Sequence, residues 1–132
     1  MKRRTFIIAL VSVGAATAVP IINHHRKHVL ARDPLMRPNV LANFCDGGTI
    51  RDIGTLYRSE VPEENEENKL RELLLANERG NTADTTDEKV ICDMLDKKIS
   101  EEFKKGKIVI EDGWVLSETE ARQCALFSLS DL

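Results

Sequence analysis

The chain has 132 residues, a formal net charge of −3, 31% charged residues and 5% aromatics. That length holds one small domain and excludes a multidomain enzyme, a repeat array and a multi-span membrane protein. Three cysteines are too few for a disulfide scaffold.

The N-terminus reads as an address rather than as part of the fold. Lys2, Arg3 and Arg4 precede residues 5–22, an uncharged and mostly apolar run of 18 residues. Ala16-Thr17-Ala18 supplies a small-x-small cleavage site, completing the layout of a signal peptide. Arg3 and Arg4 followed by Thr5, Phe6, Ile7 and Ile8 match most of a twin-arginine export signal, with Lys2 where Ser or Thr is usual. General secretion is the alternative route. Pro20 lies two residues past the cleavage site, and Ile21 and Ile22 extend the run to about the minimum that spans a bilayer, so an uncleaved N-terminal anchor is the other reading. The expected organisation is a signal or anchor over residues 1–22, a linker over 23–37 and one domain over 38–132. The expected location is the periplasm or the outer face of the inner membrane. A twin-arginine signal exports chains already folded, often with a cofactor or partner bound.

Beyond this segment the charge balance changes. Residues 33–132 carry 22 acidic side chains against 13 basic ones. Such a surface repels phosphate, which disfavours nucleic acid as a partner. The basic stretch His24-His25-Arg26-Lys27-His28 reads as a juxtamembrane or linker segment; His-x-x-His spacing as a metal site is the minor alternative.

Pro38 opens a short helix carrying Val40, Leu41 and Phe44, and Asp46-Gly47-Gly48 is expected to stop it. Thr49 is the expected N-cap of a helix with Ile50, Ile53, Leu56 and Tyr57, ended by Pro62. Glu63 to Glu67 form an acidic lead-in to a helix with Leu70, Leu73 and Leu74, closed at Gly80 and Asn81. Asp84, Thr85 or Thr86 caps the longest helix, from about Asp87 to Lys105, where Ile91, Leu95, Ile99 and Phe103 recur every four residues. Gly106 stops it. Lys107 to Glu111, Asp112-Gly113 and Trp114 to Leu116 then predict a β-hairpin with a type I′ turn. Ser117 and Glu120 form a capping box for a closing helix with Ala121, Cys124, Ala125 and Phe127. The fold class is mainly α, four to five helices with one C-terminal hairpin. The expected core is Ile50, Ile53, Leu56, Leu70, Leu74, Ile91, Leu95, Ile99, Phe103, Trp114, Leu116 and Phe127.

Catalytic chemistry finds no foothold in these residues. There is no Gly-x-Ser-x-Gly, no phosphate-binding glycine loop, no Cys-x-x-Cys and no histidine beyond His28. Cys45, Cys92 and Cys124 read first as small core residues, with one disulfide among them as the alternative. No catalytic, cofactor-binding or metal-ligating residue is assigned. Arg122 is read as a surface ion pair with Glu118 or, together with Trp114, as a contact on a partner interface, where Arg and Trp are enriched.

Two stretches carry a family resemblance: Arg3-Arg4-Thr5-Phe6, and Asp112-Gly113-Trp114-Val115-Leu116-Ser117-Glu118-Thr119-Glu120-Ala121-Arg122. Together they resemble small exported proteins of the gluconate 2-dehydrogenase subunit 3-like type, over the signal and about 20 C-terminal residues. The resemblance implies a subunit without flavin or haem that supports export and stability of a flavin-dependent dehydrogenase. The expected function is therefore a non-catalytic accessory subunit of a periplasmic or membrane-bound oxidoreductase. Its expected partners are the larger subunit, the twin-arginine export machinery and, if the signal is uncleaved, the membrane. A stand-alone anchored binding or structural domain is the alternative.

Overall fold

The structure is a computed structural model describing residues 33–77, 82–83 and 86–130. Arg3, Arg4 and Phe6, the cleavage site at Ala16 and Ala18, the histidine cluster, and Gly80 and Asn81 lie outside the described residues. Four α-helices and one antiparallel hairpin make up the body: α1 Gly47–Glu60, α2 Glu67–Leu75, α3 Glu88–Lys105, β1 Ile108–Glu111, β2 Trp114–Ser117 and α4 Glu118–Ser128. Short 3₁₀ turns at Pro34–Met36, Leu41–Asn43 and Pro62–Glu64 join them. The mainly α architecture with a C-terminal hairpin is as expected.

The core is built around α4, most of whose residues, from Thr119 to Phe127, are buried. Helix α1 lies along α4 over the most extensive packing in the molecule, while α2, α3 and the first 3₁₀ turn cover its other sides. The α1–α4 approach is set by one residue. A Cβ placed on Gly54 would sit 2.0 Å from the Cys124 carbonyl oxygen, so only glycine lets the backbones come this close. Ile50, Ile53, Gly54 and Tyr57 form the buried stripe of α1.

Several helix ends differ from expectation. Asp46, not Thr49, caps α1: its Oδ1 accepts the Thr49 N–H at 2.8 Å. Gly47 and Gly48 therefore form the first turn of α1 rather than a stop, because an Asp cap offsets the poor helix propensity of glycine. The expected helix after Pro38 is only the 3₁₀ turn Leu41–Asn43. Pro34–Met36, expected in the linker, belongs to the packed body, with Leu35 buried beside α4. Asp87 caps α3 through the Lys89 and Val90 N–H groups. Helix α2 ends at Leu75. Gly106 closes α3 in the left-handed conformation at φ 72°.

The hairpin follows the sequence closely. Asp112 and Gly113 both take positive φ, 50° and 83°, as a two-residue type I′ turn requires. Its register pairs Ile108 with Ser117, Val109 with Leu116, Ile110 with Val115 and Glu111 with Trp114. The capping box is complete, with Ser117 Oγ accepting from the Glu120 N–H at 3.1 Å and Glu120 accepting from the Ser117 N–H at 2.9 Å.

The expected core needs correction at four positions. Leu56 is 40% exposed and Phe103 43%, while Ile99 and Trp114 are half-buried. Leu56 lies roughly 110° around the α1 axis from the middle of the buried stripe, at about 100° per residue. In α3 a strict four-residue repeat drifts by about 40° at each step, so Ile91 and Leu95 stay on the buried face while Ile99 and Phe103 walk off it. Lys98 and Glu102 hold that face in their place. Tyr57, Leu35, Leu41, Leu126, Ala121 and Ala125 complete the core.

Gly54→Ala is expected to destabilise the protein by about 3 kcal/mol or more, because the opposing atoms are backbone and cannot rotate away. Urea unfolding followed by circular dichroism reads this directly; a loss under about 1 kcal/mol would mean that α1 and α4 do not approach this closely.

Candidate functional site

Four of the exposed large apolar side chains, Val40, Phe44, Phe103 and Val115, line one groove, and several buried or half-buried polar groups pair with one another elsewhere. The polar pairs form networks. Arg122 meets Glu64 through two bonds, Nε to Oε2 and Nη2 to Oε1, both 2.9 Å. Tyr57 donates its hydroxyl to the same Oε2 at 2.7 Å. Both partners of the ion pair are 15% exposed, and Glu118, the expected partner, stands farther away at 3.9 Å. Burial pushes the Glu64 carboxyl up, but the bonds from Arg122 and Tyr57 and the guanidinium charge outweigh it and hold it below the usual range. Burial also raises the Tyr57 hydroxyl, reinforced by the bond and charge of Glu64. For Arg122 burial acts downward, and Glu64 more than reverses it.

Two further networks close helix ends. Glu102 of α3 accepts from the Thr119 backbone N–H at 2.9 Å and its hydroxyl at 2.8 Å. Lys98 points its ammonium at the Leu73, Leu74 and Ala76 carbonyls, at 2.6, 3.4 and 3.1 Å, and so caps the C-terminus of α2. Burial lowers the Lys98 pKa against the opposing pull of Glu102. All three ammonium hydrogens have acceptors, which makes Lys98 a structural cap.

The three cysteines are free thiols. Burial raises the Cys45 thiol, helped by the charge of Asp46, and raises Cys124 as well, so both are held in the unreactive protonated form. Cys92 Sγ accepts from Arg37 Nη2 at 3.7 Å. Among the described residues no group of three or more His, Cys, Asp or Glu side chains could hold a metal ion. Among them no helix is long and apolar enough to cross a membrane.

The apolar part is an open groove of about 570 Å³. One wall is the turn from Asn39 to Phe44, another is the α3 stripe Asp96, Ile99, Ser100 and Phe103, and the third is Trp114 and Val115 of β2. Leu41 and Leu116 are buried beneath it. Spacings of three, four and seven residues place the α3 members on one side of the helix. The 3₁₀ turn, held by Phe44 N–H to Leu41 carbonyl at 3.0 Å, turns Leu41 inward and leaves Phe44 75% exposed beside exposed Val40. Alternation along the hairpin sends Val109 and Leu116 toward the core and Ile108, Ile110 and Val115 outward. Val115 both lines the groove and stands opposite Ile110, so the apolar surface continues onto the outer face of the hairpin.

Of the two residues expected at a partner interface, Trp114 lies half-buried in the groove wall, while Arg122 is engaged with Glu64 inside the molecule. The structure does not bring them together in one patch. Sequence reasoning missed the groove because Phe44, Phe103 and Val115 read as core residues or as generic strand and helix members. The one available signal was the drift of Phe103 off the α3 stripe. Comparison with protein-family models, curated proteins and solved structures finds no match for this chain.

Arg122→Ala should cost about 2–3 kcal/mol, since it strands a largely buried carboxylate, and Tyr57→Phe about 1 kcal/mol. A double-mutant cycle in urea should show the two effects coupled through Glu64; strict additivity would dissolve the network. Because the folded Glu64 value is depressed, its contribution is complete above the ordinary value of 4.5 and is lost as pH falls through the folded value.

Glu111 behaves oppositely. Burial raises it first, then the charge and shared hydrogen bond of Glu60, so stability declines as pH rises from 4.5 through the raised folded value. Glu111→Gln should therefore raise the melting temperature at pH 7. The gain should vanish at pH 4, and a gain that is the same at both pH values would contradict the assignment.

Proposed function

We propose that this protein is a non-catalytic, partner-binding subunit that acts outside the cytoplasm, and that a larger oxidoreductase subunit covers its groove in the assembled complex. The observation that carries this reading is the groove itself. Phe44, Val40, Phe103 and Val115 keep apolar surface in water on a domain whose buried polar groups are mostly paired internally. An aromatic anchor beside a half-buried tryptophan is the composition of binding surfaces. The signal-like N-terminus supports the location. The resemblance of residues 112–122 and of the signal to small dehydrogenase subunits supports a flavin-dependent dehydrogenase as the partner class. The acidic surplus of residues 33–132 fits a protein partner better than nucleic acid.

The test is native co-purification of C-terminally tagged protein, extracted gently from membranes and periplasm, with the absorption spectrum and mass composition recorded. The expected result is a stoichiometric flavoprotein or haem protein. Phe44→Ser and Val115→Ser should each weaken its capture by about tenfold, the effect of losing a well-packed interface anchor, while leaving the melting curve unchanged. A lone monodisperse monomer would overturn the reading and favour a stand-alone anchored domain.

A further inference from the structure

We infer that, before export, the groove is occupied by the chain's own apolar segment, residues 5–22. This goes beyond the partner reading, because it concerns the precursor before any partner is met. The groove and the segment are both apolar surfaces that water disfavours, and one covalent chain carries both.

Reach permits the contact. From Ile22 to Asp33 the chain extends at most about 36–40 Å, and from Asp33 to Asn39, the first residue of the groove wall, at most about 20 Å. A tether of that length holds the segment near the groove at an effective concentration in the millimolar range. Charge selects this groove. Its exposed charged lining residue is the acidic Asp96; Glu120 also borders it, 5% exposed and with its carboxylate bonded to the Ser117 N–H. The segment is flanked by Lys2, Arg3 and Arg4 on one side and by Arg26 and Lys27 on the other. The second open groove is lined by Lys97, Lys98, Lys105 and Lys107 together with acidic residues, and is the poorer fit for a basic-flanked apolar segment. Seating the segment buries the exposed ring of Phe44 and shelters the export signal itself.

The experiment uses the full-length precursor, made by cell-free translation without membranes, with photoreactive benzoylphenylalanine at position 44. That side chain is 75% exposed, so the fold tolerates the change, and an unaltered melting curve checks it. Light and heavy isotopic chains are mixed before irradiation so that adducts within and between chains can be told apart. The expected product is an adduct from position 44 to residues 5–22 of the same chain. Asp96→Lys should lower its yield by about threefold, as loss of an exposed charge attraction would. Adducts joining two chains, or a folded precursor with no adduct to residues 5–22, overturn the inference. An internal adduct with no partner on the exported protein removes the accessory-subunit reading alone. A captured partner with no internal adduct in the precursor removes this inference alone.

Discussion

A helix buried on nearly every side has no water to satisfy its terminal backbone groups, so α4 depends on other elements to close both its ends. At the N-terminus the Glu118 N–H bonds the Lys107 carbonyl at 3.3 Å, the Thr119 N–H bonds Glu102, and the Glu120 N–H bonds Ser117 Oγ. These are the first three donors of the helix. The carboxylates of Glu102 and Glu120 also meet the positive end of the helix dipole. At the C-terminus Arg51 Nη1 donates to the Ser128 and Ser130 carbonyls at 3.2 and 3.0 Å, with its guanidinium 4.9 Å from the centre of the Phe127 ring. Along its side, Gln123 Nε2 bonds the Pro34 and Arg37 carbonyls at 3.1 Å each. Four neighbours of α4, namely α1, α3, β2 and the first 3₁₀ turn, thus supply a polar group as well as an apolar face, and the same requirement fixes them in place.

How much of this was readable in the sequence depends on the chain distance over which each determinant acts. The hairpin and the capping box are set within a dozen residues, by Asp112, Gly113, Ser117 and Glu120, and they stand where the sequence places them. Asp46 against Thr49 is also local, but two cap-forming residues compete three positions apart, and the glycines between them pointed the wrong way. Gly54 was opaque, because its role is defined by the Cys124 carbonyl across the α1–α4 interface. The Arg122–Glu64 pair spans 58 positions and is the tighter of two, since the expected i,i+4 pair with Glu118 also stands, at 3.9 Å. Glu102 reads as an exposed helix glutamate until α4 is brought against it.

The C-terminal stretch from Asp112 to Arg122 looks different once its side chains are placed. Asp112 and Gly113 make the turn, Ser117 and Glu120 make the cap, Thr119 binds Glu102, and Arg122 binds Glu64. Nearly every residue in it has a task in folding. The pattern therefore speaks first to how this part of the chain folds, and an argument about what the protein does has to rest on surface that folding leaves unexplained.

That surface is where Phe44, Phe103 and Val115 meet. Packing does not demand an apolar side chain at Phe44, since most of its ring lies outside the core. The four-residue repeat of α3 makes the same point from within a helix: its first two members serve the core, and its drift delivers Ile99 and Phe103 to the groove wall. A sequence written only for stability would follow the 3.6-residue period and place polar residues there. Charge follows the same division. Lys97, Lys98, Lys105, Lys107 and Arg122 border the other groove, while the charged residues bordering the apolar groove are exposed Asp96 and buried Glu120. A partner docking in this groove meets apolar surface beside the acidic Asp96, and an apolar element flanked by positive charge complements both.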